Sequence, residues 1–176
     1  MTTDSNYKYY AFISYNAKDI DWVKVLSISI AAYNVEKFIE ETLASLCNEE
    51  VINDLDIIVV NDGSKDKTTG KVMRYVEKYP ESIRIINKDN GGYGSTINTS
   101  LPLAKGKYYK LLDGDDWYDT YNLERLVNIL KKCETDLVVT PHVQVVNETR
   151  EETIVTPFKN IEVGKEFSFE NYPKGS

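Results

Sequence analysis

A chain of 176 residues with 41% hydrophobic and 28% charged residues is long enough to bury the core of one globular domain, and its composition is neither disordered nor fibrous. A formal net charge of −7 leaves no basic excess to meet a nucleic-acid backbone, so nucleic acid is not expected as a partner. Any polyanion held by so acidic a protein must be gripped locally, by a metal ion or by backbone amides.

From residue 25 onward, short β-rich runs alternate with helical ones. "VLSISIA" (25–31) predicts a strand, and 35–47 an amphipathic helix with Phe38, Ile39, Leu43 and Leu46 on one face. "LDIIVV" (55–60) is nearly all apolar, as in a parallel strand covered on both faces. "NDGSKDKT" follows as a turn with a helix N-cap, leading into a helix over 70–79. A third strand is predicted at 83–87, a short helix at 95–104 whose regularity Pro102 limits, and a fourth strand at 107–112. Residues 121–133 predict a helix with Leu123, Leu126, Val127 and Leu130 inward, and 136–140 another strand. The Thr-, Val- and Glu-rich residues from 141 onward are expected to form strands or an edge hairpin. Repeated βα units imply an α/β fold, a mainly parallel sheet with helices on both faces and right-handed crossovers. In such sheets ligands bind outside the carboxyl ends of the strands.

The first 24 residues do not join this pattern smoothly. "YKYYAFISYNAKDIDWVK" (7–24) holds its own strand, "YAFIS", a polar turn and the start of a helix. It resembles the opening box of TIR domains, which implies an interaction or NAD-cleaving protein as the alternative class. No other TIR landmark follows. A strand and turn added to the sheet edge, or a fusion remnant, are the two readings of this segment.

Three conspicuous segments fall at strand carboxyl ends: "AAYN", "VNDGSKD" and "DGDD". The last belongs to "KLLDGDDWYD", where Asp113, Asp115, Asp116 and Asp119 crowd a single turn. Capping a helix that starts near Tyr121 needs one Asp, not four. Two carboxylates one residue apart on a turn can reach one hard cation, and Mg²⁺ or Mn²⁺ suits such ligands while keeping positions open for phosphates. Other motifs fit worse. An EF-hand loop starting at Asp113 has Glu124 at its twelfth position but Tyr118 where the sixth needs Gly, and "GGYGSTI" lacks the third Gly of a dinucleotide fingerprint. One histidine, His142, does not by itself make a zinc site.

"VLSISIAAYNVEKFIEETLASL", "DIIVVNDGSKDKT" and "NKDNGGYGSTINTSLPLAKGKYYKLLDGDDWYD" resemble, in order and spacing, the amino-terminal half of family 2 glycosyltransferases, over about residues 24 to 140. The resemblance implies the Rossmann-like GT-A fold, here truncated, and a nucleotide-sugar donor, usually UDP-linked, bound with Mn²⁺ or Mg²⁺ for inverting transfer to a hydroxyl acceptor. By the same resemblance, "AAYN" supplies Ala32, Tyr33 and Asn34, with Tyr33 against the base. Asp62, beside Gly63, accepts the base N–H. Asn90, Gly91 and Gly92, with Asn98, match the stretch that passes near the donor. Asp113 and Asp115 form the acid-x-acid motif, with Asp115 on the metal, Asp113 near the ribose and Asp116 supporting. An aromatic face and a carboxylate acceptor together suit a planar base that carries an N–H.

The resemblance implies three segments: an extension over 1–24, a nucleotide-sugar-binding domain over 25–140, and edge strands and tail over 141–176. The acceptor would be a saccharide or a lipid-linked saccharide. The family's general base lies further downstream, and none of Glu148, Glu151, Glu152, Glu162, Glu166 or Glu170 has its context. No base is nominated, the acceptor half is expected to be missing, and a non-catalytic nucleotide-sugar-binding fragment is a third reading. Only Cys47 and Cys133 are present, so no disulfide framework is expected. No signal peptide and no membrane-spanning run are expected either. A cytoplasmic protein, peripheral to the inner membrane face, fits these features.

Overall fold

The structure, a computed structural model, describes residues 11–14, 23–146, 149–156 and 164. In chain order its strands and α-helices are β1 (Ala11–Ser14), β2 (Lys24–Ala32), α1 (Ile39–Leu46), β3 (Leu55–Asp62), α2 (Thr68–Lys78), β4 (Ile83–Lys88), α3 (Tyr93–Ser100), β5 (Gly106–Asp113), α4 (Thr120–Leu130), β6 (Leu137–Val139), β7 (His142–Val145) and β8 (Glu152–Val155). The chain divides into two compact units: Ile13–Asp136, and Met1–Phe12 with Leu137–Ser176.

The larger unit is the α/β layer expected from the sequence. Its parallel strands run in the order β4-β3-β2-β5. β3 is buried along its whole length, as its nearly continuous apolar run requires of a strand covered on both faces. β2 alternates differently. Leu26, Ile28 and Ile30 are fully buried apolar positions, whereas Ser27 and Ser29 are buried polar ones between them. Ser29 Oγ donates to Ser100 Oγ of α3 at 2.7 Å, and Ser100 also bonds the Tyr109 hydroxyl at 2.8 Å. Ser27 Oγ donates to Asp56 at 2.6 Å, and Asp56 is further paired with Arg84. Both serines are therefore satisfied, which removes most of the penalty of burying them.

The two faces of the sheet are covered by different helices. α3 packs on β2 and β3, while α1 touches both α2 and α4, and α4 packs on β2. Ile39, Leu43 and Leu46 of α1, Val72 of α2, and Leu123, Val127 and Leu130 of α4 are fully buried. Each such Leu or Ile is worth roughly 1.5–3 kcal/mol of transfer free energy. Leu126, expected inward, is half-buried at the edge of that stripe.

Phe38 departs from the expected helix face. Residues 36–38 form a turn rather than helix, with Phe38 N and Ile39 N both bonding Val35 O, and α1 begins only at Ile39. Phe38 therefore lies ahead of the helical register and is 44% exposed, while Thr42 takes the inward place. The predicted 95–104 helix also splits. Its α-helical part ends at Ser100, and Leu101–Leu103 continue as a 3₁₀ turn containing Pro102, whose missing N–H cannot extend the α-helical ladder.

The strand within "YAFIS" forms as β1. Its Ile13 and Ser14 pair antiparallel with Tyr109 and Tyr108 at the outer edge of β5. The turn and helix start expected at 15–22 lie outside the described residues, as does most of the TIR-like box. In the smaller unit β7 and β8 pair as an antiparallel hairpin that forms a two-stranded sheet of its own, His142 opposite Val155; of the strands or edge hairpin expected beyond residue 141, the strands are present. Glu148, Glu162, Glu166 and Glu170 lie outside the described residues. Among the described residues no helix is long and apolar enough to cross a membrane.

Candidate functional site

The chain leaves β2 to build β3 and β4 on one side, then returns to lay β5 on the other. The strand order thus reverses between β2 and β5, the point at which open α/β sheets form a crevice beyond their strand ends. A cleft of about 260 Å³ lies there, walled by Ala31, Ala32, Tyr33 and Val35 after β2, Asp62 at the end of β3, Asn90, Gly92, Tyr93 and Thr96 around the start of α3, and Asp113, Gly114 and Asp115 after β5. Tyr33 and Tyr93 are each 52% exposed at this wall.

Asp62 anchors one wall. It is only 3% exposed. Its Oδ1 accepts from Lys88 Nζ at 2.5 Å and Gly91 N at 2.9 Å, and its Oδ2 from Gly92 N at 2.8 Å. Burial alone would raise this carboxyl's pKa, but the Lys88 ammonium and the two amide donors outweigh it and hold it below the ordinary 3.8. A carboxylate offers about four lone-pair positions, so Oδ2 keeps one for a donor from the cleft. The approach of the two loops depends on Gly63, whose φ is +78° and where a Cβ would come within 2.9 Å of Asn90 N.

The acidic turn forms the opposite wall. Gly114 is wedged under the end of β2: its N–H donates to Ala31 O at 3.1 Å and its carbonyl accepts from Thr42 Oγ1 at 3.0 Å. The wedge presents the flanking Asp113 and Asp115 to the cleft. The remaining two carboxylates do other work. Asp119 Oδ1 accepts from Asn122 N at 2.8 Å as the N-cap of α4. Asp116 closes the turn through its N–H to Asp113 O, and its charge acts on Lys110. That lysine is 4% exposed, with Nζ 5.8 Å from the Tyr118 ring centroid. Burial pushes the Lys110 ammonium down to about 7, against the opposing pull of Asp116. The crowding of four like charges is thus resolved by division: one caps, one acts electrostatically on a buried lysine, and two line the cleft.

Among the described residues no group of three or more His, Cys, Asp or Glu side chains is gathered for a metal ion. An all-protein cage does not fit this site. A divalent ion held by the two cleft carboxylates, with substrate phosphates completing its shell, does fit, since Mg²⁺ is ordinarily bound in that way.

Of the residues expected from sequence, the fold brings Ala32, Tyr33, Asp62, Asn90, Gly92, Asp113 and Asp115 to one cleft. Among the described residues its wall does not include Asn34, Gly63, Asn98 or Asp116. Asn34, at φ +53°, ties two loops together, its N–H to Ser64 Oγ at 3.0 Å and its Oδ1 to Lys65 N at 2.9 Å. Asn98 is exposed on α3. Tyr93 and Thr96 join the wall without being among the residues expected from sequence. The available signal was an aromatic directly after "NGG", at the first turn of a helix that starts beside strand ends.

Comparison with known proteins agrees with this geometry. The model of the family described as glycosyl transferase family 2 matches residues 27–174. An uncharacterised glycosyltransferase of Bacillus subtilis (strain 168), EpsJ, is 36% identical over 116 residues, 66% of this chain and 33% of that protein. Among solved structures, S. aureus TarS 1–349 in complex with UDP-GlcNAc aligns with a TM-score of 0.53 and 28% identity, over 61% of this chain and 31% of that one. The mannosyltransferase PcManGT from Pyrobaculum calidifontis, in complex with GDP-Man and Mn²⁺, shares the fold at a TM-score of 0.53 and 24% identity, over 58% of this chain and 31% of its own. The chain spans about a third of the length of each of these proteins. With the family's ordered motifs at the switch point of a parallel sheet and its model matched from residue 27 to residue 174, the chain belongs to glycosyl transferase family 2.

Proposed function

We propose that this chain is the donor-binding part of an inverting glycosyltransferase that takes a nucleotide-diphosphate sugar, UDP-linked, with Mn²⁺ or Mg²⁺, and passes the sugar to a hydroxyl of a saccharide or lipid-linked acceptor. The observation that carries the reading is the convergence of Tyr33, Asp62, Asn90, Gly92, Asp113 and Asp115 on one cleft at the β2–β5 switch point. The TarS structure supports it as a relative solved with a nucleotide sugar.

In this reading the Tyr33 ring lies against the base, and the remaining acceptor position of Asp62 takes a base N–H. Asn90 and Gly92 line the donor's path, Asp113 sits toward the ribose, and Asp115 holds the metal, with Asp116 bracing the turn from the Lys110 side. A divalent ion there would offset the negative charge on the diphosphate leaving group.

Inverting transfer also needs a base for the acceptor hydroxyl. Among the described residues the cleft's carboxylates are Asp62, Asp113 and Asp115, each already given a role, and no base is assigned. We assign donor binding to 25–140, with 1–24 as an extension and 141–176 as edge strands and tail. A cytoplasmic enzyme working at the inner membrane face fits this substrate class. Calorimetry with UDP and UDP-sugars, with and without Mn²⁺, tests the proposal. Metal-dependent binding is expected, and failure of every nucleoside diphosphate to bind in the presence of metal sinks it.

A further inference from the structure

Lys88 is the last residue of β4 and stands directly opposite Asp62 in the parallel register. An ammonium has three N–H donors, and all three of these are engaged inside the protein. They reach Asp62 Oδ1 at 2.5 Å, Asp89 O at 2.5 Å and Ser95 Oγ at 2.9 Å. One cation thus ties the end of β3, the loop after β4 and the first turn of α3. The loop is closed tightly around it: a Cβ on Gly91 would come within 2.8 Å of Ser95 Oγ and 3.0 Å of Lys88 Nζ. Asp62 completes the knot by accepting the Gly91 and Gly92 amides, and Gly92, Asn90 and Tyr93 are cleft wall.

We infer that Lys88 is a positioning residue for donor binding and base selection, acting through Asp62 and the 89–92 loop without touching the nucleotide. The inference rests on reading the cleft as a nucleotide-sugar site. Asp62 discriminates between bases only while it is ionised and fixed. An ionised carboxylate accepts and never donates, so it favours a base with a ring N–H, such as uracil or guanine, over cytosine, whose corresponding ring nitrogen is an acceptor. Lys88 maintains both conditions. Its charge offsets the cost of burying the carboxylate, and its bond leaves Oδ1 engaged and only Oδ2 with a free position. Without the ammonium, the carboxylate is freer to rotate and easier to protonate, and a protonated carboxyl can donate to cytosine.

The test is calorimetry in Mn²⁺ with UDP, GDP and CDP on the wild type, Lys88→Met and Lys88→Arg, with amide spectra of Gly91 and Gly92. The wild type is expected to prefer UDP or GDP over CDP. Lys88→Met should weaken the preferred nucleotide by about tenfold to a hundredfold, the scale of one charge-assisted hydrogen bond. It should also narrow the preference over CDP and shift both glycine amide signals, and Lys88→Arg should restore most of the preference. If Lys88→Met does not fold, Lys88→Gln, which keeps donors and loses charge, is judged by the same criteria. Equal weakening of all three nucleotides with the preference intact, or unchanged binding, overturns the inference by reducing Lys88 to a structural residue or to none. A wild type that prefers CDP also overturns it, while the cleft reading survives. A wild type that binds no nucleotide removes the cleft reading and this inference together.

Discussion

Gly114→Ala is the sharpest test of how the acidic turn is held. A Cβ at this position would stand 2.9 Å from Ala31 O and 3.0 Å from Val35 Cγ2. Val35 can yield by rotating, but Ala31 cannot. It is paired with Val60 on one side and Asp113 on the other, in the middle of the parallel sheet. The turn must therefore lift, which stretches the bond from Gly114 N to Ala31 O at 3.1 Å and the buried one from Thr42 Oγ1 to Gly114 O at 3.0 Å. Forcing a methyl into a packed site costs about 1–3 kcal/mol, and weakening a buried hydrogen bond adds about 1 kcal/mol. A loss of about 2–4 kcal/mol corresponds to a fall in Tm of roughly 5–15 °C for a chain of this size. The lift also displaces both neighbours, Asp113 and Asp115, so metal-dependent UDP binding should weaken along with stability. Thermal unfolding by circular dichroism and calorimetry with UDP and Mn²⁺ read the two effects. A Tm within about 2 °C of wild type, with unchanged binding, would refute the wedge argument.

Asp115→Ala removes an exposed charge, so stability should change by no more than about 0.5 kcal/mol, while the Mn²⁺-dependent part of UDP binding disappears; a variant that keeps the full metal dependence removes Asp115 from the metal's shell. Tyr33→Ala should likewise fold normally, because the ring is half exposed, and should weaken UDP by about fivefold to a hundredfold, the range of one base–aromatic stack; equal binding by the variant would place the base elsewhere. Asp62 predicts a signature in acid. Its carboxyl is held below the ordinary 3.8, so its contribution to stability is present in full above that value and is lost as pH falls through the folded-state pKa. Unfolding of wild type and Asp62→Asn, followed from pH 6 to pH 2, should show their stability difference shrinking below about pH 4; a constant difference would mean that the Lys88, Gly91 and Gly92 bonds do not depend on the charge.

Much of this protein follows from local pattern. The nearly continuous apolar run of β3, the repeating βα units, and the acidic and glycine-containing turns after the strands are properties of neighbouring residues. Periodicity and turn chemistry act over a few positions, so the parallel sheet and the turns that gather at its carboxyl edge are legible without coordinates. The same locality explains what could not be read. Phe38 obeys the helical period of 35–47, yet the turn at 36–38 starts the helix after it. Within "DGDD" the three acids look alike; what separates them is Gly114 lodged against Ala31 and the charge of Asp116 acting on the buried Lys110. Asn34 and Gly63, expected near the donor from the resemblance, also hold loops together through bonds and close approaches that their own neighbourhood in sequence does not reveal. Lys88 and Asp62 are separated by a helix and a strand in sequence, and only the pairing of β3 with β4 sets them opposite each other. Which of several similar side chains faces a ligand and which faces a neighbour is decided by contacts between distant segments, and those exist only once the sheet has formed.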